Sequence, residues 1–175
     1  MISKLWECLT VWHVPHTSLV GVQAIVAHAP GENTDGTPGC VNEFLADTIR
    51  GLYNRYNVPV IVQGELRACL YDVPLAAVSK KQNEAPGYLS TKDIVLWHKA
   101  ECDKLGVRVV ALVSFDPHFW RAMKATQKVG LVALVPVLIK EMYDPANSQW
   151  RWRYKYIARP YELLARLYFL WKGWI

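Results

Sequence analysis

The sequence predicts an α/β protein: a Rossmann-like open, mainly parallel sheet of about four to five strands with helices on both faces. Three observations point there. Short β-branched apolar runs alternate with segments whose apolar residues recur at three and four. The runs "LVGVQAIVAHA" and "VRVVALVSF" are apolar almost throughout, as strands covered on both faces are. Polar and titratable residues follow directly after three of the runs, at the ends where open sheets of this kind bind ligands.

The first run, residues 19–29, reads as a strand. "PGENTDGTPG" after it is a loop, rich in the two residues that break regular structure. Val41, Phe44, Leu45, Thr48, Ile49, Leu52, Tyr53 and Tyr56 then mark an amphipathic helix. "VPVIVQG", 58–64, is a short strand. Residues from Glu65 to about Leu89 read as a long polar loop, of the kind that is functional or hides a short helix.

Ser90 and Asp93 have capping-box spacing, with Asp in place of the usual Glu, and start a helix whose apolar stripe is Ile94, Trp97, His98, Cys102 and Leu105. Gly106 ends it as a left-handed cap. "VRVVALVSF" is the next strand. Asp116 followed by Pro117 matches an N-cap with proline in the first turn, opening a helix to about Val129. "LVALVPV" is a further strand. The last helix runs from about Pro160 to Trp171, with Tyr161, Leu164, Leu167, Tyr168 and Trp171 on one side. Strand and helix alternate, which implies right-handed crossovers.

The 175 residues, 52% hydrophobic and 20% charged, suit one globular domain, with 1–18 as an N-terminal extension and 150–175 as a basic aromatic segment and closing helix. The longest apolar stretch, 131–139, is far shorter than the roughly 20 residues that span a bilayer. "MISKLWECLTVW" lacks the apolar core and small-residue cleavage site of a secretory signal. Cys8, Cys40, Cys69 and Cys102 are scattered and form no CxxC, which suits free thiols in a reducing compartment. A cytoplasmic location is expected, with peripheral contact at a membrane as its extension.

The net charge of +5 favours anionic partners. Much of the excess lies in 150–175, where Arg151, Arg153, Lys155, Arg159, Arg166 and Lys172 face Glu162 alone. "WRWRYKY" there interleaves rings with cations. The pattern suits single-stranded nucleic acid or a membrane interface, but more often it packs aromatics on a core, the reading preferred here.

The strand ends carry the candidate site. Gly31 and Gly36 have Walker A separation, yet Thr37-Pro38 follows where Lys-Ser/Thr belongs, no GxGxxG is present, and Glu32 and Asp35 would repel phosphate. The loop 29–39 could still offer helix-terminal amides to an anion. His28 ends the first strand, and Gln63, Gly64 and Glu65 end the second, where a carboxylate could take a ribose hydroxyl, a metal or an amine. In "SFDPHFWR", Asp116 and Arg121 are explained blandly as a cap and a solvated side chain. That account leaves His118 unexplained, one turn from an arginine that could fork onto the same anion. A divalent ion on His28, Glu65, Asp116 and His118 is the less favoured alternative. Ser114 lies near His118 without a GxSxG elbow or a third partner, so no nucleophile triad is drawn.

These segments resemble the family that includes YdcF, SanA and ElyC. "VVALVSFDPHFWRAMKATQKVGL" is similar to its "VT…H..RA……G" segment, and "IVAHAPG…FLADTIRGLYNRYNVPVIVQGE" to its first half. "LSTKDIVLWHKAECDKLGV" resembles its "S.NT.EN" helix, and "YELLARLYFLWKGWI" its closing helix. His118, Arg121 and Thr91 match best. Gln63-Gly64-Glu65 stands where Ser-Gly-Gly is usual, Ile94 where asparagine is usual, and the stretch before Ser90 is short for the family, so a helix is missing there.

The resemblance, over roughly residues 20–175, implies a Rossmann-like fold of unknown function with a nucleotide-like or S-adenosylmethionine-like ligand, and for some members a role in envelope biogenesis. The expectation is an anionic, nucleotide-like small molecule held by His28, Gly31, Gln63, Gly64, Glu65, Ser90, Thr91, Ser114, Asp116, His118 and Arg121. His118 would serve as acid or base in a transfer or hydrolysis. An accessory protein working at the membrane surface is the alternative, and nucleic acid comes third.

Overall fold

The computed structural model describes residues 2–85, 89–136 and 141–175. Its centre is a five-stranded, all-parallel sheet in the order β3-β2-β1-β4-β5, built from β1 (Ala24–Ala27), β2 (Val60–Val62), β3 (Leu75–Val78), β4 (Val109–Val113) and β5 (Val132–Leu134). The chain lays down β1, β2 and β3 outward in one direction, then returns to place β4 on the other side of β1. The strand order therefore reverses between β1 and β4, which opens a crevice at their carboxyl ends.

Both sheet faces are covered, which is why the strands are apolar throughout. On one face Ile25, Ala27, Val60, Val62, Ala111 and Val113 pack with Val41, Leu45, Ala46 and Ile49 of α2 (Cys40–Tyr56). On the other, Ala24, Val26, Ile61, Val110 and Leu112 pack with Cys102 of α3 (Thr91–Lys104) and with Phe119, Trp120 and Ala122 of α4 (Asp116–Lys128). The last helix, α5 (Lys155–Trp171), joins this second layer where Phe169 meets Val95 and Ala125.

Several elements fall as their local chemistry predicts. Ser90 caps α3: its Oγ accepts from the Asp93 amide, while the Asp93 carboxylate accepts from the Ser90 amide. Gly106 takes φ +68°, the left-handed conformation that ends the helix at low cost.

Others differ. The N-terminal extension contains a helix, α1 (Ile2–Thr10), with Cys8 buried beside α5. The 65–89 segment is not loop throughout: a 3-10 helix (Gly64–Cys69), strand β3 and a 3-10 turn (Gln82–Glu84) fill its described part, and residues 86–88 of that expected loop lie outside it. The β2–β3 connection thus runs through a 3-10 helix rather than the α-helix that regular alternation implies. Asp116 is not the cap of α4. Phe115 holds that position, no side chain caps it, and Asp116 is the first helical residue. The strand expected at 131–137 is β5, 132–134, and Val137 lies outside the described residues. The final helix begins five residues before Pro160, which sits inside it. No helix among the described residues is long and apolar enough to cross a membrane.

Candidate functional site

The crevice at the β1/β4 reversal is lined by His28 and Ala29 after β1, Gln63 after β2, and Phe115, His118 and Arg121 of β4 and α4. Thr91 and Ile94 of α3, Gln82 and Leu89, and Gln149 and Trp152 from before α5 complete it. Its free volume is about 30 Å³, room for little more than a water-sized group. A second space, of about 300 Å³, adjoins it; Gln82 and Gln149 line both. Gly31, Glu32, Asn33 and Glu65 line the second. Larger hollows exist, one of about 780 Å³ beside β3, but they gather no comparable set of titratable groups.

Beneath the crevice lies a buried ionic cluster. Arg121 donates from Nε to Glu162 Oε1 at 3.0 Å and from Nη2 to Glu162 Oε2 at 2.9 Å, while its Nη1 donates to Thr91 Oγ1. Arg166, one helical turn after Glu162, donates from Nε to Glu162 Oε1 at 3.3 Å. Arg166 also donates to the Val11 carbonyl at 2.6 Å and lies between the rings of Trp12 and Trp120. All three charged side chains are at most 4% exposed. The guanidinium of Arg121 outweighs burial and holds the Glu162 carboxyl down to about 2. Two guanidiniums therefore face one carboxylate, and the cluster carries a net positive charge in the interior.

Three imidazoles stand above it. His28 packs edge-on against His98 with ring centroids 4.9 Å apart, and against His118 at 5.6 Å. His118 also stacks on Phe115 and meets Trp152 edge-on. Burial, reinforced for His118 by Arg121, keeps all three neutral: His98 falls to about 3, His118 to about 4, and His28 well below its ordinary 6.5. His118 Nδ1 lies 3.8 Å from Glu162 Oε2, an ion-pair distance too long for a hydrogen bond. His28 Nε2, His118 Nδ1, both nitrogens of His98 and Ser114 Oγ are buried without a hydrogen-bond partner. Such orphaned polar atoms are costly in an interior and call for an explanation.

Of the residues expected at the site, His28, Gln63, Thr91, His118 and Arg121 converge on this crevice. Ser114 is fully buried behind it. Gly31 and Glu65 line the second space instead. Ser90 is occupied as the α3 cap. Gly64 serves packing: a Cβ there would come within 2.7 Å of the Ser79 carbonyl. Asp116 turns away and accepts from His13 Nδ1 at 3.0 Å, so the four residues of the metal reading do not meet. Among the described residues no group of three or more His, Cys, Asp or Glu is arranged to hold a metal ion.

The amino end of α2, expected to offer free amides to an anion, is already occupied. The Asp144 carboxylate accepts from the Cys40 amide at 2.9 Å. Gly39 permits this approach, since a Cβ there would lie 2.4 Å from Asp144 Oδ2. Arg121, expected to be solvated or to fork onto a ligand, forks onto Glu162.

A scan of protein-family models, a search of curated proteins and a search of solved structures each return no match.

Sequence reasoning missed Glu162, His98, Trp152, Gln82 and Gln149. Glu162 had a signal, as the one acid in a basic segment. His98 read as part of an apolar stripe, and it does point inward, but toward other imidazoles. Trp152 bears out the preferred reading of "WRWRYKY": it is buried against Phe115, His118 and Tyr161. Trp150, Tyr154 and Tyr156 of the same motif stay exposed.

Proposed function

We propose that this protein binds an anionic, nucleotide-like small molecule across the two adjoining spaces at the carboxyl ends of β1, β2 and β4. A kinship with the YdcF/SanA/ElyC proteins is part of the same proposal. The observation that carries it is the unbalanced buried charge: Arg121 and Arg166 against Glu162, with Arg121 lining the crevice. An anionic group seated above Arg121 compensates the excess cation at low dielectric, where such pairing is strong. The first turn of α4, whose amino end no side chain caps, faces the same reversal point and favours the same sign of charge.

The smaller space admits only a compact group, so the bulk of the ligand occupies the larger one. Gln82 and Gln149 shift to join them. His118 is the acid/base group if the bound molecule is turned over in a transfer or hydrolysis. It is neutral at pH 7 and therefore free to accept a proton, and the Glu162 carboxylate then stabilises the imidazolium. An S-adenosylmethionine-type ligand is a second member of this ligand class.

The test is a thermal-shift screen with nucleotides, S-adenosylmethionine and sugar phosphates. At least one anionic nucleotide-like compound raises the melting temperature, and His118→Ala abolishes the rise. No shift from any compound, or a shift that survives His118→Ala, refutes the proposal.

A second reading draws on the outer face of α5. Leu164, Tyr168 and Trp171 are exposed along it, with the Lys172 ammonium over the Tyr168 and Trp171 rings. Rings and cations on one face suit an anionic lipid surface. Flotation with phosphatidylserine vesicles at low salt checks it: wild type floats, and Trp171→Ser with Leu164→Ser does not. Wild type that stays at the bottom of the gradient rules the reading out.

A further inference from the structure

The larger space is chemically unlike the smaller one. It is bordered by two buried carboxylates, Glu32 and Glu65, 7% and 1% exposed. Glu32 is neutralised by Lys81 Nζ. Glu65 has no cation among its printed partners. Its Oε1 accepts from the Gln82 amide at 2.8 Å, and its Oε2 is buried with no hydrogen-bond partner. Glu65 follows β2 by three residues, on the sheet edge that carries the His28 crevice. We infer that this space is a sugar subsite, in which the open oxygen of Glu65 accepts from the vicinal hydroxyls of a ribose-type ring.

The chemistry selects hydroxyls over the other candidates. Phosphate is repelled, because Glu32, Glu65 and the Asp144 carboxylate on the α2 amides all bring negative charge to this side. An ammonium, which only donates, would satisfy Glu65 but leave amide donors facing it. The lining mixes donors and acceptors, with Asn33, Asn83, Ser148 and Gln149 beside Glu65. A hydroxyl group both donates and accepts, so a diol matches both kinds. The volume, about 300 Å³, is at the lower end of ordinary ligand pockets and suits one sugar ring. Burial pushes the Glu65 carboxyl up, which makes it a stronger acceptor for a neutral donor than an exposed glutamate would be.

The inference rests on the nucleotide reading and deepens it, so its experiment separates the two. Isothermal titration compares adenosine 5′-monophosphate with its 2′-deoxy and 3′-deoxy forms on wild type, Glu65→Gln and His118→Ala. The expected result is binding of the ribonucleotide and about 10-fold or more weaker binding of each deoxy form to wild type, as loss of a hydrogen bond to a carboxylate implies. Glu65→Gln brings the three within about 3-fold of one another. Glu65→Gln keeps the acceptor for the Gln82 amide, and circular dichroism confirms its fold. The wild-type comparison needs no variant at all.

Equal binding of ribo and deoxy forms by wild type, with loss in His118→Ala, overturns the sugar subsite and leaves the ligand class standing. A deoxy penalty undiminished in Glu65→Gln also overturns it. No binding of any of the three overturns both.

Discussion

Glu162 is the residue on which the interior depends most. It holds two guanidiniums from positions where none of the three is more than 4% exposed. Replacing one partner of such a group leaves the others buried without compensation. Glu162→Gln is therefore expected to lower stability by about 3–5 kcal/mol, read as a drop in the urea midpoint at constant slope. A drop below about 1 kcal/mol would mean that the arginines find other partners. The sequence marks some of these residues and hides others for physical reasons. His118 and Arg121 stand out because a strand end followed by a helix start is a place where side chains converge. Glu162 and Arg166, at i and i+4, read as an ordinary solvated pair. Only tertiary packing makes them interior. Asp116 shows the reverse error: its sequence position suits a cap, but the helix starts one residue earlier and its carboxylate goes to His13.

At the level of elements, α3 is the most legible, because its start and stop signals are local. Ser90→Ala is expected to cost about 1 kcal/mol by removing the side-chain half of the capping box, measurable as a shift in the urea midpoint; an unchanged midpoint would show that Asp93 alone suffices. The long α2 and the strands β1, β2 and β4 were legible for a similar reason, since double-sided burial writes itself into composition. Strand β3 was not. It lies at the sheet edge, its residues are only partly buried, and two of its four are alanines, which carry little β preference. The apolar side read for α5 is largely its outer one. Leu164, Tyr168 and Trp171 are exposed, while Ala158, Glu162, Arg166 and Phe169 turn inward. Apolar periodicity assumes that charges face water, and here a buried ion pair reverses it.

For the molecule as a whole, the parallel sheet and its order were within reach of pattern reasoning, and so was the end of the sheet where the site lies. The division of that site into two spaces was not, because Gln82 and Gln149 come from segments with no periodic signal. The buried imidazoles set how stability varies with pH. His98 and His118 are neutral in the fold down to about 3 and about 4, whereas an unfolded chain protonates them near the ordinary 6.5. Their contribution is complete above 6.5 and is lost as pH falls below it, by up to about 1.4 kcal/mol per pH unit for each ring. Glu162, held near 2 against an ordinary 4.5, adds a further loss below 4.5. Urea titrations at pH 7.5, 6 and 5 are expected to show falling stability, and His98→Gln to shallow the slope by one proton. A flat profile across that range would show that the rings are protonated in the native state.

The Asp144 carboxylate on the first turn of α2 has a consequence of its own. It reaches Cys40 from 104 residues away, so the glycine-bearing loop of this chain is a docking post with a tethered plug. Acquiring a phosphate grip there would take no new glycines, only the release of that plug. Clipping or melting the connection around residue 144 bares a positive helix tip that the intact molecule keeps shut.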